Sequence, residues 1–399
     1  MMETIPARKS GEKLFNRYFI TTWVISLCVQ LGQLMLNNAV SVYVVSLGYG
    51  SKFTGLMALP FAVLAILARF VGGRMCDTHS RRLVMTVSCC IFCAAIYLFG
   101  ALPMAWSLVL FRSLHGLGFG AANTSSSTAS VDVVPKSRTA EGIGYFWAAQ
   151  AIANAGAGYI VVALVSGTDY SRVFITAAVF LAIGALLSLS CNYEKKDMYR
   201  PEAKAEAEAK GIAKYFEKRS VPAAVVLFLI CCGTSLTGIF TMLFASQRGL
   251  GSSGTFFLLC AIGMFSGNVL VSKVTAKIGN LRTMIPAVLF FDISLLLMGW
   301  TNSEAMFLMA GAGYGLVQGF CFPVLNTLAV EKLPFDRRGV GAGTLFVAMD
   351  VGIGFGSFVW GWTIDLFGFT TTLTAAALLS ALSVPAALLF FGKKKNKRI

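Results

Sequence analysis

Four of the ionisable residues inside long apolar segments are candidates for proton coupling, because a charge is costly there and usually functional. They are Arg112, His115, Asp292 and Asp350. Asp350 is close to the middle of its segment, where we expect a carboxyl group to bind and release a proton at physiological pH. It is therefore the best candidate for a proton carrier. Asp292 is its competitor, although a structural hydrogen bond to a neighbouring helix explains that residue equally well.

The segment Arg112-Ser-Leu-His115-Gly-Leu-Gly-Phe119 places several functional groups at helical spacing, and Asn123 continues the series. One helix face would thus offer a fixed cation, a titratable imidazole and an aromatic ring. We expect Arg112 to face the half of the protein that holds Asp350 and to help expel a proton from a nearby acid. Alternatively, Arg112 is a buried structural anchor and His115 a hydrogen-bonded core residue.

The composition indicates the elements that must position these residues. Hydrophobic residues form 56% of the chain and charged residues 13%, which excludes an ordinary soluble domain. A membrane-spanning helix needs about 20 mostly apolar residues. The chain is therefore predicted to be an all-α membrane protein with twelve spans. The candidate spans are residues 17–45, 53–72, 83–102, 104–131, 141–166, 172–193, 221–247, 253–276, 283–301, 305–330, 339–364 and 369–392.

Topology explains the net charge of +15 better than a nucleic-acid partner does. The predicted cytoplasmic segments hold 28 of the 33 Lys and Arg residues, whereas the external loops hold three, Lys52, Arg172 and Arg248. This asymmetry predicts that both termini are cytoplasmic. The ten cysteines lie in or beside the spans and are expected to be packing residues, so no metal site and no cofactor is predicted.

The two halves of the chain are related. A shift of 199 residues aligns Gly116 with Gly315 and Arg138 with Arg337, among other pairs. We predict two six-helix bundles, residues 1–193 and 220–399, joined by a polar cytoplasmic linker at 194–219. Such repeats place a substrate site near the bilayer midplane between the halves.

A charged hairpin between the second and third spans contains Gly73, Asp77, Arg81 and Arg82. It resembles the signature G-x-x-x-D-[RK]-x-G-[RK]-[RK] of the major facilitator superfamily, although Thr78 and Ser80 depart from it. The resemblance implies a cytoplasmic gate that closes in one conformation, with Asp132 as a further partner of the hairpin. From the residues alone, a positively charged turn with one solvated acid remains the alternative. The predicted gate residues are Gly73, Asp77, Arg81, Arg82, Asp132, Arg138 and Glu141.

Two further motifs resemble those of proton-driven bacterial exporters. Arg112 and Gly116 match an R-x-x-x-G motif in the fourth span, and the run from Pro135 to Gly144 resembles the entry to the fifth span of drug-type exporters. The antiporter motif deeper in that span should contain Gly-Pro, but residues 153–158 contain no proline. The resemblance implies a proton-coupled exporter of the arabinose-efflux-permease-like branch in the bacterial inner membrane, expected to be monomeric.

The spans that line the cavity in that family contain neutral amides, hydroxyls and aromatic rings. These predict a small amphipathic or weakly charged substrate. The candidates are Gln30, Gln33, Asn37, Asn38, Phe119, Asn123, Tyr145, Trp147, Gln150, Asn154, Thr234, Thr237, Phe240, Gln318, Asn326 and Phe346.

Three other functions remain to be weighed. Proton-coupled uptake of a sugar or organic acid is the first alternative. A receptor that does not transport is remote, because the central loop is too short for a signalling domain. An enzyme is not expected, because the chain contains no H-E-x-x-H or G-x-S-x-G motif.

Overall fold

The computed structural model describes residues 14–78, 80–135, 138–165, 167, 169–195, 216–300, 303–334 and 337–392. We name the two membrane sides by the orientation that the charge distribution predicts. Helices dominate this part of the chain. They are α1 (Arg17–Ser46), α2 (Ser51–Thr78), α3 (Arg81–Ala101), α4 (Ala105–Asp132), α5 (Thr139–Leu164), α6 (Ser171–Ser190), α7 (Val221–Arg248), α8 (Ser253–Ile278), α9 (Asn280–Trp300), α10 (Glu304–Val330), α11 (Arg338–Ala381) and α12 (Ser383–Phe391).

The long helix α11 contains a chain reversal at Gly368, which has φ 75° and ψ 175°. Glycine suits this position because it has no Cβ and adopts positive φ at little cost. The residues before Gly368 form the eleventh span, and those after it form the twelfth together with α12. The predicted all-α architecture of twelve spans is confirmed.

Nine helical segments among the described residues are long and apolar enough to cross a bilayer, and one of them, Val340–Phe391, contains the reversal. The fourth helix is not among the nine; it carries three ionisable residues, Arg112, His115 and Asp132, and a run of hydroxyl side chains at 124–128, which lower its hydropathy. These hydroxyls bond to their own helix. For example, Thr124 Oγ1 donates to Gly120 O at 2.8 Å and Thr128 Oγ1 donates to Thr124 O at 2.9 Å. Such bonds satisfy polar groups that would otherwise be costly in a membrane.

Glycines related by the internal repeat make equivalent contacts between helices in the two halves. In the first half, a Cβ on Gly116 would collide with the backbone oxygen of Phe61 on α2. In the second half, a Cβ on Gly315 would collide with the backbone oxygen of Cys260 on α8. The paired glycines therefore allow α4 to pack closely on α2 and α10 to pack closely on α8.

The two halves meet through three helix pairs, α2 with α11, α1 with α7 and α5 with α8. Ser41 Oγ on α1 donates to Ile239 O on α7 at 2.7 Å. Tyr159 Oη on α5 lies 3.3 Å from Thr255 Oγ1 on α8. These four residues are in the extracellular parts of their helices. The halves are thus in contact on the side that the charge distribution predicts to be extracellular, as expected for an inward-facing transporter.

Candidate functional site

An ion pair between Arg69 on α2 and Asp350 on α11 joins the two halves. Arg69 Nε donates to Asp350 Oδ2 at 2.8 Å, and Arg69 Nη2 lies 3.5 Å from Asp350 Oδ1. The side chains are only 15% and 9% exposed, so the pair is largely shielded from water. The Arg69 guanidinium also lies 5.7 Å from the ring centroid of Phe119, one of the predicted substrate residues.

The partner of Asp350 differs from our expectation. We expected Arg112 to act on a nearby acid from across the midline, but the guanidinium beside Asp350 is that of Arg69. The sequence contained a signal for Arg69, because it is a second arginine within an apolar span. Arg69 belongs to none of the motifs, and its spacing does not show that it faces α11.

Arg112 instead belongs to a buried network between α1 and α4. Arg112 Nη1 lies 2.8 Å from His115 Nδ1, and Nη2 donates to Asn37 Oδ1 at 2.8 Å. His115 Nε2 is in turn hydrogen-bonded to Gln33 Oε1. Because arginine cannot accept a hydrogen bond, Nδ1 must accept and Nε2 must donate, which defines the neutral imidazole tautomer.

Aromatic rings complete the surroundings of Arg112. Its guanidinium carbon lies 4.5 Å from the ring centroid of Phe61, a cation–π contact. The His115 ring stacks on Phe92 at a centroid distance of 4.6 Å. Arg112 and His115 are 2% and 0% exposed. The described hydrogen bonds and ring contacts of Arg112 involve neutral groups and no carboxylate.

Several predicted substrate residues lie near these two clusters or between the halves. Gln30 Nε2 donates to Asn123 Oδ1 at 3.2 Å beside the α1–α4 network. Asn154 Nδ2 on α5 lies 3.5 Å from Cys260 Sγ on α8, which again joins the halves. In the described part of the chain, buried polar atoms of three candidates have no hydrogen-bond partner: Asn38 Nδ2, Thr237 Oγ1 and Gln318 Nε2. A bound polar molecule would satisfy such atoms.

Other candidates are placed differently. Phe240 is fully buried in the hydrophobic core, and Thr234 bonds to Cys231 O of its own helix. Tyr145 is 40% exposed near the cytoplasmic end of α5, and Asn326 is exposed. Gln150 and Phe346 are half-buried. The side chain of Trp147 lies outside the described residues.

No described contact joins Asp292 to the Arg69–Asp350 pair. Asp292 is 4% exposed, and the hydroxyl of Ser380 is the described group that interacts with its carboxylate. Its helix, α9, packs within the second half against α10 and α11. The two roles predicted for Asp292, a proton carrier or a structural hydrogen-bonding residue, therefore remain predictions.

The predicted cytoplasmic gate contains an ion pair between Arg81 Nη1 and Asp132 Oδ2 at 3.0 Å. Tyr193 Oη donates to the same carboxylate oxygen at 3.0 Å. Burial, and next the negative charge of Asp132, raise the pKa of Tyr193, so its phenol remains a hydrogen-bond donor. Arg81 N also donates to Glu194 Oε1 at 2.6 Å. These contacts all lie within the first half and the start of the linker.

The remaining gate residues are described in part. Gly73 lies close to α4, where a Cβ would be 3.9 Å from Thr124 Cγ2, and Arg82 Nη1 is hydrogen-bonded to Asn192 Oδ1. Arg138 is half-buried at the start of α5. The side chains of Asp77 and Glu141 lie outside the described residues, as do linker residues 196–215.

The second half contains a pair that the sequence analysis missed. Arg337, the repeat counterpart of Arg138, donates from Nε and Nη2 to Glu217 Oε2 at 3.0 and 2.8 Å. Glu217 N also donates to Thr344 Oγ1 at 2.9 Å. Burial alone would raise the pKa of Glu217, but the hydrogen bonds from Arg337 and from the Arg219 backbone, together with the charges of both arginines, outweigh it, and the net pKa is lowered. Glu217 thereby attaches the end of the linker to α11.

Comparison with known protein families shows the family to which the chain belongs. The model of the Major Facilitator Superfamily matches residues 22–357 and, in a second match, residues 257–398. The chain belongs to the major facilitator superfamily.

The individual relatives of this superfamily member have low sequence identity to it. A putative metabolite transport protein of Haemophilus influenzae is 19% identical over 350 residues, which cover 84% of this chain and 86% of that protein. A probable transport protein of the same organism, HsrA, is 24% identical over 135 residues. That match covers 33% of this chain and 29% of HsrA.

Solved structures share the fold of this superfamily member. A mutant of the nucleoside transporter NupG matches with a TM-score of 0.78 at 12% identity, covering 94% of this chain and all of that one. A bacterial homologue of the human lysosomal transporter Spinster, solved inward-facing and occupied, matches with a TM-score of 0.75 at 15% identity. That match covers 98% of this chain and 100% of the homologue.

Membership of the superfamily has direct consequences. The protein is a multi-pass membrane protein and a secondary transporter of a small molecule, not an enzyme. It works by alternating access, in which the two halves expose a central site to each side of the membrane in turn.

Proposed function

We propose that this transporter couples movement of its substrate to protons, with Asp350 as the proton carrier and Arg69 as its counter-charge. One observation carries the proposal: the ion pair between these residues connects the two halves that must move relative to one another. A change in the charge of Asp350 therefore acts directly on the interface between them.

The physical argument rests on the cost of an unpaired buried charge. Removing one partner of a buried ion pair typically costs about 3–5 kcal/mol, because the other charge is left uncompensated. Protonation of Asp350 neutralises it and releases Arg69 from the pair. Loss of that proton in the inward-facing state allows the pair to form again. Proton release toward the cytoplasm would thus favour the inward-facing arrangement.

We propose export as the direction of transport, driven by inward movement of protons. The support is the likeness of Arg112 and Gly116 to the motif of proton-driven exporters. In such a cycle, protons released from Asp350 enter the cytoplasm, and the empty inward-facing site then accepts the substrate. His115, hydrogen-bonded to both Arg112 and Gln33, would shape the site without carrying the transported proton.

Charge balance favours a second candidate, uptake of an organic acid together with a proton. The described site has two guanidinium groups, Arg69 and Arg112, but one carboxylate, Asp350. When Asp350 is protonated, an anionic substrate could replace it as the counter-ion of Arg69. The absence of the antiporter proline from residues 153–158 also agrees with this candidate.

Transport by the purified protein in sealed vesicles tests these candidates. A pH gradient is imposed, candidate organic acids, sugars and amphipathic molecules are supplied, and substrate and proton fluxes are recorded. Opposite fluxes support export, whereas parallel fluxes support uptake. Substrate transport that is unaffected by the gradient and by Asp350→Asn would overturn proton coupling.

The location and assembly of the protein are also proposed from its sequence. The predicted cytoplasmic segments hold 28 Lys and Arg residues and the external loops hold three, which supports cytoplasmic placement of both termini. We place the protein in the bacterial inner membrane as a monomer, with residues 1–193 and 220–399 as its two bundles. The basic residues 393–395 would act as an orientation anchor on the cytoplasmic side.

A further inference from the structure

The extracellular end of α2 is capped by a carboxylate from the opposite half of the protein. Asp365, near the extracellular end of the eleventh span, accepts hydrogen bonds from the backbone N–H of Ser51 at 2.8 Å and of Lys52 at 2.9 Å. Ser51 is the first residue of α2. The two carboxylate oxygens therefore satisfy two of the N–H groups that a helix leaves unpaired at its N-terminus, and the negative charge favours that end of the helix dipole.

The other helix entries with a described side-chain cap are bound by residues of their own half or of the adjoining start of the linker, as at α3, where Glu194 accepts from Arg81 N. The N-cap of α1 is Asn16, whose side chain accepts from Phe19 N, and the N-cap of α3 is Ser80, whose side chain accepts from Leu83 N. By contrast, Asp365 is 314 residues from Ser51 in sequence. The cap of α2 thus exists only while the two halves are together on the extracellular side.

The local sequence allows this close approach. A Cβ on Gly50 would collide with the Asp365 carboxylate. A Cβ on Gly361 would lie 3.0 Å from the Cα of Gly55, so the α2 and α11 backbones are in direct contact. The Lys52 ammonium lies 5.9 Å from the Trp362 ring centroid, which adds a weak contact at the same edge.

We infer that Asp365 is an extracellular gate residue, whose carboxylate holds α2 and α11 together in the inward-facing state and must release α2 in every transport cycle. This inference depends on alternating access and is independent of proton coupling. When the gate opens, water replaces the carboxylate on the two N–H groups, so the interaction contributes only to the closed state. Its loss should therefore shift the equilibrium toward the outward-facing state.

The chain provides a matched control for this residue. Glu304 is also an extracellular carboxylate that binds a helix entry, since Gly251 N donates to Glu304 Oε1 at 2.9 Å and Ser252 Oγ bonds to Oε2. Both of its partners precede α8, so the contact lies entirely within the second half. Removing it should not change the balance between inward-facing and outward-facing states.

The experiment measures the distance between spin labels at Ser46→Cys on α1 and Gln247→Cys on α7 in the purified full chain. Both positions are exposed at the extracellular side, and exposed Cys90 is replaced by serine in all samples. We expect Asp365→Ala to increase the ratio of separated to closed populations about five- to tenfold, which corresponds to the loss of a helix cap. Asp365→Asn should increase it about two- to fivefold, because the amide keeps one acceptor oxygen but loses the second oxygen and the charge that favours the helix N-terminus. Asp365→Glu should retain part of the closed population.

Asp365→Asn nearly preserves the shape of the side chain, so it remains informative if the alanine variant does not fold. Glu304→Gln should give the distance distribution of the unsubstituted protein. An unchanged distribution in Asp365→Asn would overturn the inference. An equal shift in Glu304→Gln would overturn it as well, because general loss of extracellular negative charge would then explain the result.

Discussion

Arg69 and Asp350 are 281 residues apart in the chain, yet their side chains meet at 2.8 Å between the two halves of the transporter. Each lies in a helix that contributes to the interface, and each is charged in a region where charges are expensive. Their mutual neutralisation explains how both can be accommodated. It also identifies the contact through which a proton can influence the movement of the halves.

The first prediction concerns Asp350. Asp350→Asn should abolish transport driven by a pH gradient but preserve substrate binding, because the amide keeps the shape of the side chain and cannot carry the proton. Asp292→Asn is the matched control and should retain coupling, since the described partner of Asp292 is Ser380 and that of Asp350 is Arg69. Gradient-driven flux in vesicles and binding to the purified protein measure the two effects. The reverse outcome for the two variants would show that the assignment is wrong.

The second prediction concerns Arg69. Arg69→Gln leaves Asp350 without its counter-charge and should destabilise the protein by about 3–5 kcal/mol. Adding Asp350→Asn should recover part of this loss, because no buried charge then remains unpaired. Unfolding of the two single variants and the double variant forms a mutant cycle that measures the coupling. Additive effects in this cycle would argue against an energetically significant pair.

The third prediction concerns Arg112. Arg112→Lys keeps the charge but loses the planar fork that binds His115 and Asn37, so it should retain residual coupling with a displaced pH optimum. Arg112→Ala should abolish coupling. Transport measured across a pH series distinguishes the variants. If both transport normally at every pH, Arg112 is a packing residue, and the support for export from its motif is lost.

The fourth prediction concerns the cytoplasmic gate. We propose that Asp77, together with Arg81 and Asp132, stabilises the outward-facing state. Because the Arg81–Asp132 pair is already formed within the first half, the dependence on the state of the transporter is assigned to Asp77, and Asp77→Asn should favour opening toward the cytoplasm. Chemical labelling of single cysteines placed in the cytoplasmic cavity should then increase. Labelling at lipid-facing Cys90 provides the reference, because its exposure should not depend on the gate. Unchanged cavity labelling would contradict the proposal.

The fifth prediction concerns pH and Glu217. Its pKa is lowered in the folded protein, so the Glu217–Arg337 interaction contributes stability above the ordinary pKa of a glutamate. That contribution is lost as the pH falls through the lowered folded-state pKa. Glu217→Gln should therefore cost about 1–2 kcal/mol at neutral pH and progressively less in acid. Thermal unfolding of both proteins from pH 7 to pH ~3 measures this, and a difference that does not change with pH would contradict it.

Some features followed from the amino-acid sequence by itself. The twelve spans could be predicted because crossing a bilayer requires long apolar helices whatever their neighbours are. The related halves were visible in the glycines and in Arg138 and Arg337, because the same close helix contacts recur in both bundles. Asp350 could be singled out because a carboxylate within a span is expensive in any arrangement.

Only the tertiary structure decided which groups meet. Helical periodicity indicates the face of a helix on which a residue lies, but it does not determine how that helix is rotated and shifted against a distant one. Arg69 and Arg112 were therefore indistinguishable as partners of Asp350 until α2 was packed against α11. The capping of Ser51 by Asp365 was hidden for the same reason: backbone N–H groups have no sequence signature, and the contact exists only when the two halves close on the extracellular side.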